Sequence, residues 1–346
     1  PEILARLFDL IDVRGTIFNV VTKSGATPET MAQLMTVVEL IRRKVGSKAL
    51  PRHLVATTDA GKGLLRPFAD GNQLASFVIP DNVGGRFSVF TAVGLLPAAV
   101  EGIPIDRLLA GAREMDQRCR RSDLTKNPAY LNAAIHHLAD TKRGKSISVM
   151  MPYSNALRDV ADWHRQLWAE SLGKAVDRQG RRVNVGQTPV KALGATDQHS
   201  QVQLYVEGPN DKIFTLIQVE RFRAKCPIPT SFRDVPELDF LKGCDMGDLL
   251  NAELEATEFA LARNQRPSVR IVLDEITPEN VGGLLYMLEV QTAFAGGLYD
   301  INAFDQPGVE EGKKATAALM GRQEPADLRK AAEIAAFREK KKRRAL

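Results

Sequence analysis

Along this chain, short apolar runs rich in β-branched residues alternate with longer segments whose apolar positions recur at helical spacing. Residues 16–21 (Thr-Ile-Phe-Asn-Val-Val) predict a strand, 28–44 an amphipathic helix, and 53–57 and 76–79 two further strands. The run Ala75-Ser76-Phe77-Val78-Ile79 reads as a short buried strand stopped by Pro80, with an apolar helix continuing over 89–100. Helices over 104–120 and 128–141 then follow one another, after which the alternation restarts. Its second round has strands at 145–151, 212–219 and 268–273 and helices at 156–173, 246–263 and 278–295. This order predicts an α/β fold with mostly parallel sheets, as two sheet domains joined by helices near 101–143. No internal repeat is visible, although both halves share the same strand and helix grammar.

A length of 346 residues suits two domains of ordinary size, and 44% hydrophobic with 26% charged residues is a globular composition. No apolar run approaches the roughly 18 residues that span a bilayer, and neither a signal peptide nor a membrane partner is expected. Pro1 opens the chain without an initiator methionine, which leads us to expect a piece of something longer. The net charge of +5 is concentrated in Lys340-Lys341-Lys342-Arg343-Arg344; without these, 42 basic residues match the 42 acidic ones. The tail is read as a solvated end, with electrostatic tethering as the other possibility, and no nucleic-acid partner is expected. Cys119, Cys226 and Cys244 are odd in number and lack C-x-x-C spacing, which fits a reducing, cytoplasmic setting and argues against a structural zinc site.

Candidate chemistry lies at the element junctions. Pro80 to Phe90 places Arg86 behind Gly84 and Gly85, where a strand hands over to a helix. The glycines admit a close ligand, and Arg86 would project a permanent charge into the same crevice; an ordinary turn with a surface arginine reads the same way. Thr22-Lys23-Ser24-Gly25-Ala26-Thr27 precedes Pro28 and Glu29, so Thr27 is a candidate helix cap and the loop a candidate phosphate cradle, or a plain Ser/Thr-rich turn. Its spacing is not that of a Walker loop, and no G-x-G-x-x-G follows a strand. Gln166 and Glu170 stand four apart on one helix face, with Glu170 in the last turn, opposing the helix dipole as suits a general base. A solvated surface glutamate would show the same pattern. Of the five histidines, none makes a metal pair at helical spacing, and His199 alone sits in a small, polar turn of catalytic character. Phe304 to Lys313 passes a Pro-Gly break and enters a helix carrying Lys313.

In order and content these segments resemble the phosphoglucose isomerase family. Gly84-Gly85-Arg86-Phe87-Ser88 and Phe304-Asp305-Gln306-Pro307-Gly308-Val309-Glu310 through to Lys313 carry the most specific likeness, which extends over nearly the whole chain. The resemblance implies two αβα sugar-isomerase (SIS) domains with the active site between them. We expect boundaries at 1–127 and 128–322, followed by a helical basic tail over 323–346, with the first domain incomplete at its N-terminus.

It further implies interconversion of aldose and ketose hexose 6-phosphates by moving a proton between C2 and C1. Glu170 would carry that proton, Arg86 would stabilise a cis-enediolate, and His199 and Lys313 would assist ring opening. Gln166 and Gln306 would line the sugar site, Gly85 would admit the sugar's reacting end, and Thr22, Lys23, Ser24 and Thr27 would hold the phosphate. The isomers share one oxidation state, so neither a cofactor nor a metal is expected. A homodimer is implied, with the histidine crossing the interface. Ala26 departs from the threonine frequent in the family, and the family's upstream glycine-rich loop has no counterpart here. A sugar-phosphate sensor of the same fold would differ by dispensing with its base.

Overall fold

Three parallel strands near the N-terminal end and four farther along form two separate sheets. The computed structural model describes residues 1–25, 27–232 and 234–342. In the first unit, helix α1 (Glu2–Leu10) precedes β1 (Phe18–Val21), α2 (Pro28–Lys44), α3 (Leu50–His53), β2 (Leu54–Thr58), α4 (Leu65–Gly71), β3 (Ala75–Val78) and α5 (Ala92–Val100). Two helices, α6 (Ile105–Cys119) and α7 (Pro128–Arg143), lead to the second unit. That unit contains β4 (Ile147–Pro152), α8 (Arg158–Leu172), β5 (Lys174–Val176), β6 (Arg182–Val185), β7 (Thr188–Lys191), α9 (Val202–Glu207), β8 (Lys212–Arg221), α10 (Met246–Arg263), β9 (Ser268–Glu275) and α11 (Pro278–Leu298). Helices α12 (Glu310–Leu319) and α13 (Pro325–Lys342) follow. The described residues stop before Arg343 and Arg344 of the basic tail. Among the described residues no helix is long and apolar enough to cross a membrane.

Strand order is β1-β2-β3 in the first sheet and β7-β4-β8-β9 in the second, while β5 and β6 pair as an antiparallel hairpin. Central β8 is buried almost continuously from Lys212 to Val219, as expected of a parallel strand covered on both faces. One core gathers Val149, Met151, Phe214, Leu216 and Leu254; another gathers Met150, Ile217, Leu284 and Leu288 on the opposite face. Helices α6 and α11 pack backbone to backbone. A Cβ on Gly111 would fall 1.8 Å from the Glu279 carbonyl oxygen, and one on Gly282 would fall 2.0 Å from that of Leu108.

The expected bounds of α2 and α10 are matched in full, whereas other elements shift. The strand expected to be buried at 75–79 is exposed at every position of β3, because β3 is an edge strand; only Ile79 beyond it is buried. The helix expected from 89 starts at Ala92, after a 3-10 turn over Gly85–Phe87. The short strands β5, β6 and β7 and the helix α1 lie outside the elements expected from the pattern. The hairpin strands are three and four residues long and mostly exposed, so they carry no hydrophobic alternation.

Two histidines are part of the core. His136 on α7 meets Thr215 Oγ1 through Nε2 at 3.2 Å and Ser148 Oγ through Nδ1 at 3.3 Å, while His164 on α8 stacks on Trp168. Burial pushes His136 down to about 4, and burial together with the neighbouring His136 pushes His164 down to about 3. The unfolded chain therefore takes up protons that the folded core refuses once pH falls below about 6.5. Their stabilising contribution is present above that pH and declines towards pH 4 at up to about 1.4 kcal/mol per pH unit for each histidine. Denaturant titrations across pH 7 to 4 should show a shallower decline for His164→Phe than for the parent; parallel curves would contradict this.

Candidate active site

The 3-10 turn over Gly85–Phe87 directs Arg86 across to the second unit. The turn closes through Phe87 N–H to Gly84 O at 3.0 Å and Ser88 N–H to Gly85 O at 3.2 Å. Thr91 then caps α5, its hydroxyl accepting from the Val93 N–H. The Phe87 and Phe304 rings meet at 5.3 Å, bracing the junction.

Arg86 is a correction to the sequence expectation of a projecting charge: its side chain is only 3% exposed and is held by protein groups. Nε donates to Ser171 Oγ at 2.8 Å, Nη1 to Gln306 Oε1 at 2.8 Å, and Nη2 to the carbonyls of Ala303 at 2.6 Å and Asp305 at 3.0 Å. Of the five guanidinium donors this leaves one, on Nη1, and Glu170 Oε2 lies 3.6 Å from that nitrogen. Burial pushes the guanidinium below its usual range, and the charges of Glu170 and Asp305 oppose the shift.

Glu170 is set by the end of α8. Gln166 Nε2 donates to Glu170 Oε1 at 3.1 Å, realising the expected shared face. Both residues line an open cavity of about 490 Å³, with Asp162 and Trp163 beside them. Sequence reasoning missed the group behind this helix end. Lys174 is buried, donates to the carbonyls of Glu170 at 2.7 Å and Ser171 at 2.9 Å, and pairs with Asp305 Oδ1 at 3.6 Å. Burial pulls its ammonium below the usual range, while the Asp305 carboxylate acts the other way. A basic residue directly after the helix stop at Gly173 was the available signal.

The 22–27 loop is locked to the segment before Arg86. Lys23 Nζ donates to the carbonyls of Asp81 at 2.6 Å and Val83 at 2.8 Å, so this amine serves loop docking as well as local charge. Thr27 occupies the cap position without a side-chain cap bond; its hydroxyl faces those of Thr22 at 3.1 Å and Ser24 at 3.4 Å. Ala26 lies outside the described residues. A second loop, missed in the sequence, crosses behind. Asp59 accepts from the N–H groups of Gly61 and Lys62 at 2.9 Å, which hold its carboxyl below the usual range, and Lys62 pairs with Asp81 at 3.0 Å.

His199 and Lys313 stand apart from this cluster. His199 is exposed beside the 3-10 turn Thr196–Gln198, and Lys313 is exposed on α12, donating to Glu310 at 2.7 Å. Neither is among the bonded partners of Arg86 or Glu170 in this chain.

The phosphoglucose isomerase family matches residues 1–221 and 249–336. The chain belongs to the phosphoglucose isomerase family. It is similar to the glucose-6-phosphate isomerase of Carboxydothermus hydrogenoformans, 56% identical over 323 residues, covering 93% of this chain and 69% of the relative. The glucose-6-phosphate isomerase of Rubrobacter xylanophilus is 45% identical over 322 residues, 93% of this chain and 72% of that one. Among solved structures, a glucose-6-phosphate isomerase from Chlamydia trachomatis superposes with a TM-score of 0.84 at 25% identity, covering 97% of this chain and 66% of that chain. Membership of the phosphoglucose isomerase family makes the chain an aldose–ketose isomerase by class.

In this chain, the crossing of the two loops depends on glycine. Gly63 has φ +80°, and a Cβ there would fall 2.1 Å from the Ser24 carbonyl oxygen; the Gly25 carbonyl accepts from the Leu64 N–H at 3.2 Å. Gly63→Ala should therefore cost roughly 1–3 kcal/mol in a denaturant titration, through left-handed strain and displacement of the Ser24 loop. An unchanged midpoint and slope would contradict the packing.

Proposed function

We propose that the protein interconverts glucose 6-phosphate and fructose 6-phosphate by proton transfer between C2 and C1 through a cis-enediolate, with Glu170 as the proton carrier. The observation that supports this most is the approach of Arg86 Nη1 to Glu170 Oε2 at 3.6 Å, a base beside a fixed cation. Removing a proton next to a carbonyl leaves negative charge on oxygen, and a preorganised cation stabilises that charge by about 3 kcal/mol. Arg86 suits this role because its other four donors are already committed, so little reorganisation accompanies the reaction.

Gln166 and Gln306 flank the same two residues and would contact the sugar hydroxyls, while Gly85 admits the reacting end. Thr22, Ser24 and Thr27, whose hydroxyls converge, would hold the phosphate at the N-terminus of α2 together with Lys23. His199 and Lys313 would act in ring opening. The exposed position of His199 suits contribution to a second subunit, so the working unit would be a homodimer. The 1–127 and 128–322 division would put the reaction at the domain junction, where Arg86 from one side meets Ser171, Ala303 and Gln306 from the other.

Glu170→Gln keeps the size and the Gln166 neighbour while removing the base. Exchange of the substrate C2 proton with solvent deuterium should fall by about 10²-fold or more, with sugar-phosphate binding retained. Unchanged exchange would overturn the assignment of Glu170.

A further inference from the structure

Lys174 sits where three constraints on the reacting groups meet. Helix α8 ends at Leu172, which leaves its last carbonyls without intrahelical partners. That of Ala169 accepts from the Gly173 N–H at 3.0 Å, and those of Glu170 and Ser171 both accept from Lys174 Nζ. A cation at this end also complements the helix dipole. The amine comes from β5, whose backbone is fixed by pairing of Lys174 with Val185 on β6.

The same ammonium faces Asp305 Oδ1, and Asp305 is itself held: Asn302 Nδ2 donates to its Oδ2 at 3.0 Å. The Asp305 backbone carbonyl accepts from Arg86 Nη2, and the next residue, Gln306, accepts from Nη1. Lys174 therefore closes a ring. One arm runs through Ser171 to Arg86 Nε, and the other through Asp305 and Gln306 to Arg86 Nη1 and Nη2. Glu170 hangs from the first arm, with its backbone carbonyl bonded to Lys174 and its carboxylate facing Arg86.

We infer that Lys174 is a positioning residue, which sets the distance between the Glu170 carboxylate and the Arg86 guanidinium without touching the substrate. The inference rests on the function proposed above and adds a role for a buried lysine that it does not use. A displacement of about 1 Å in a reacting group can cost on the order of 10²-fold in rate.

The test compares Lys174→Met and Lys174→Arg with the parent, assayed on fructose 6-phosphate well below each variant's unfolding transition. Lys174→Met should lower kcat by about 10- to 100-fold with KM held within about 3-fold, and Lys174→Arg should restore most of the loss. Unchanged kcat, or kcat and KM moving by similar factors, or an arginine variant no better than methionine, would each overturn the inference. Should the methionine variant fail to fold, Lys174→Gln, which keeps donors for the carbonyls without the charge, takes its place under the same criteria.

A parent protein inactive on hexose phosphates would instead count against the proposed function. Hydrogen exchange then still decides the positioning role. Faster exchange at both Ser171–Gly173 and Asp305–Gln306 in Lys174→Met supports it, and loosening of only one segment or neither contradicts it.

Discussion

The junction of the two α/β units turns on one buried guanidinium. Arg86 leaves the first unit on a 3-10 turn and spends four donors on a serine in the last turn of α8 and on the segment that follows α11. Removing one partner from such an arrangement is costly, because it leaves the buried guanidinium, or the carbonyls it serves, without a hydrogen-bond partner. The net gain over apolar packing is small by comparison, so the pairing is better understood as fixing geometry than as supplying stability.

That geometry has a charge balance. Arg86 and Lys174 face Glu170 and Asp305 at 3.6 Å each, two buried cations meeting two carboxylates that are partly open to solvent. New negative charge developing near Arg86 would meet a site whose resting charges already compensate one another, while the remaining Nη1 donor stays directed towards Glu170's side. The 22–27 loop is tied to the same region from behind, since Lys23 grips the carbonyls of Asp81 and Val83 a few residues before Arg86. The loop proposed to bind the phosphate and the turn proposed to face the reacting sugar are thus mechanically joined.

Much of this was legible in the sequence for identifiable reasons. Helices α2 and α10 show clear apolar periodicity, and α2 also has proline at its first position, so their limits could be read directly. Gln166 and Glu170 were paired by helical spacing alone. The burial of Arg86 was not legible, because its partners Ser171, Ala303 and Asp305 lie far away in sequence and two of them contribute only backbone carbonyls. The same holds for Lys174, whose partners are carbonyls at a helix end and a carboxylate on a distant loop. The exposure of β3 was hidden for a different reason: apolar content does not reveal whether a strand lies at an edge.

The central claim is that Arg86 and Glu170 act as one unit, and a double-mutant cycle on kcat tests it most directly. Arg86→Lys, Glu170→Gln and the double variant would be compared with the parent under saturating hexose phosphate. A single unit predicts strong non-additivity, with Arg86→Lys costing little once Glu170 is already glutamine. A double variant whose loss equals the product of the two single losses would show that the residues act independently and would contradict the account.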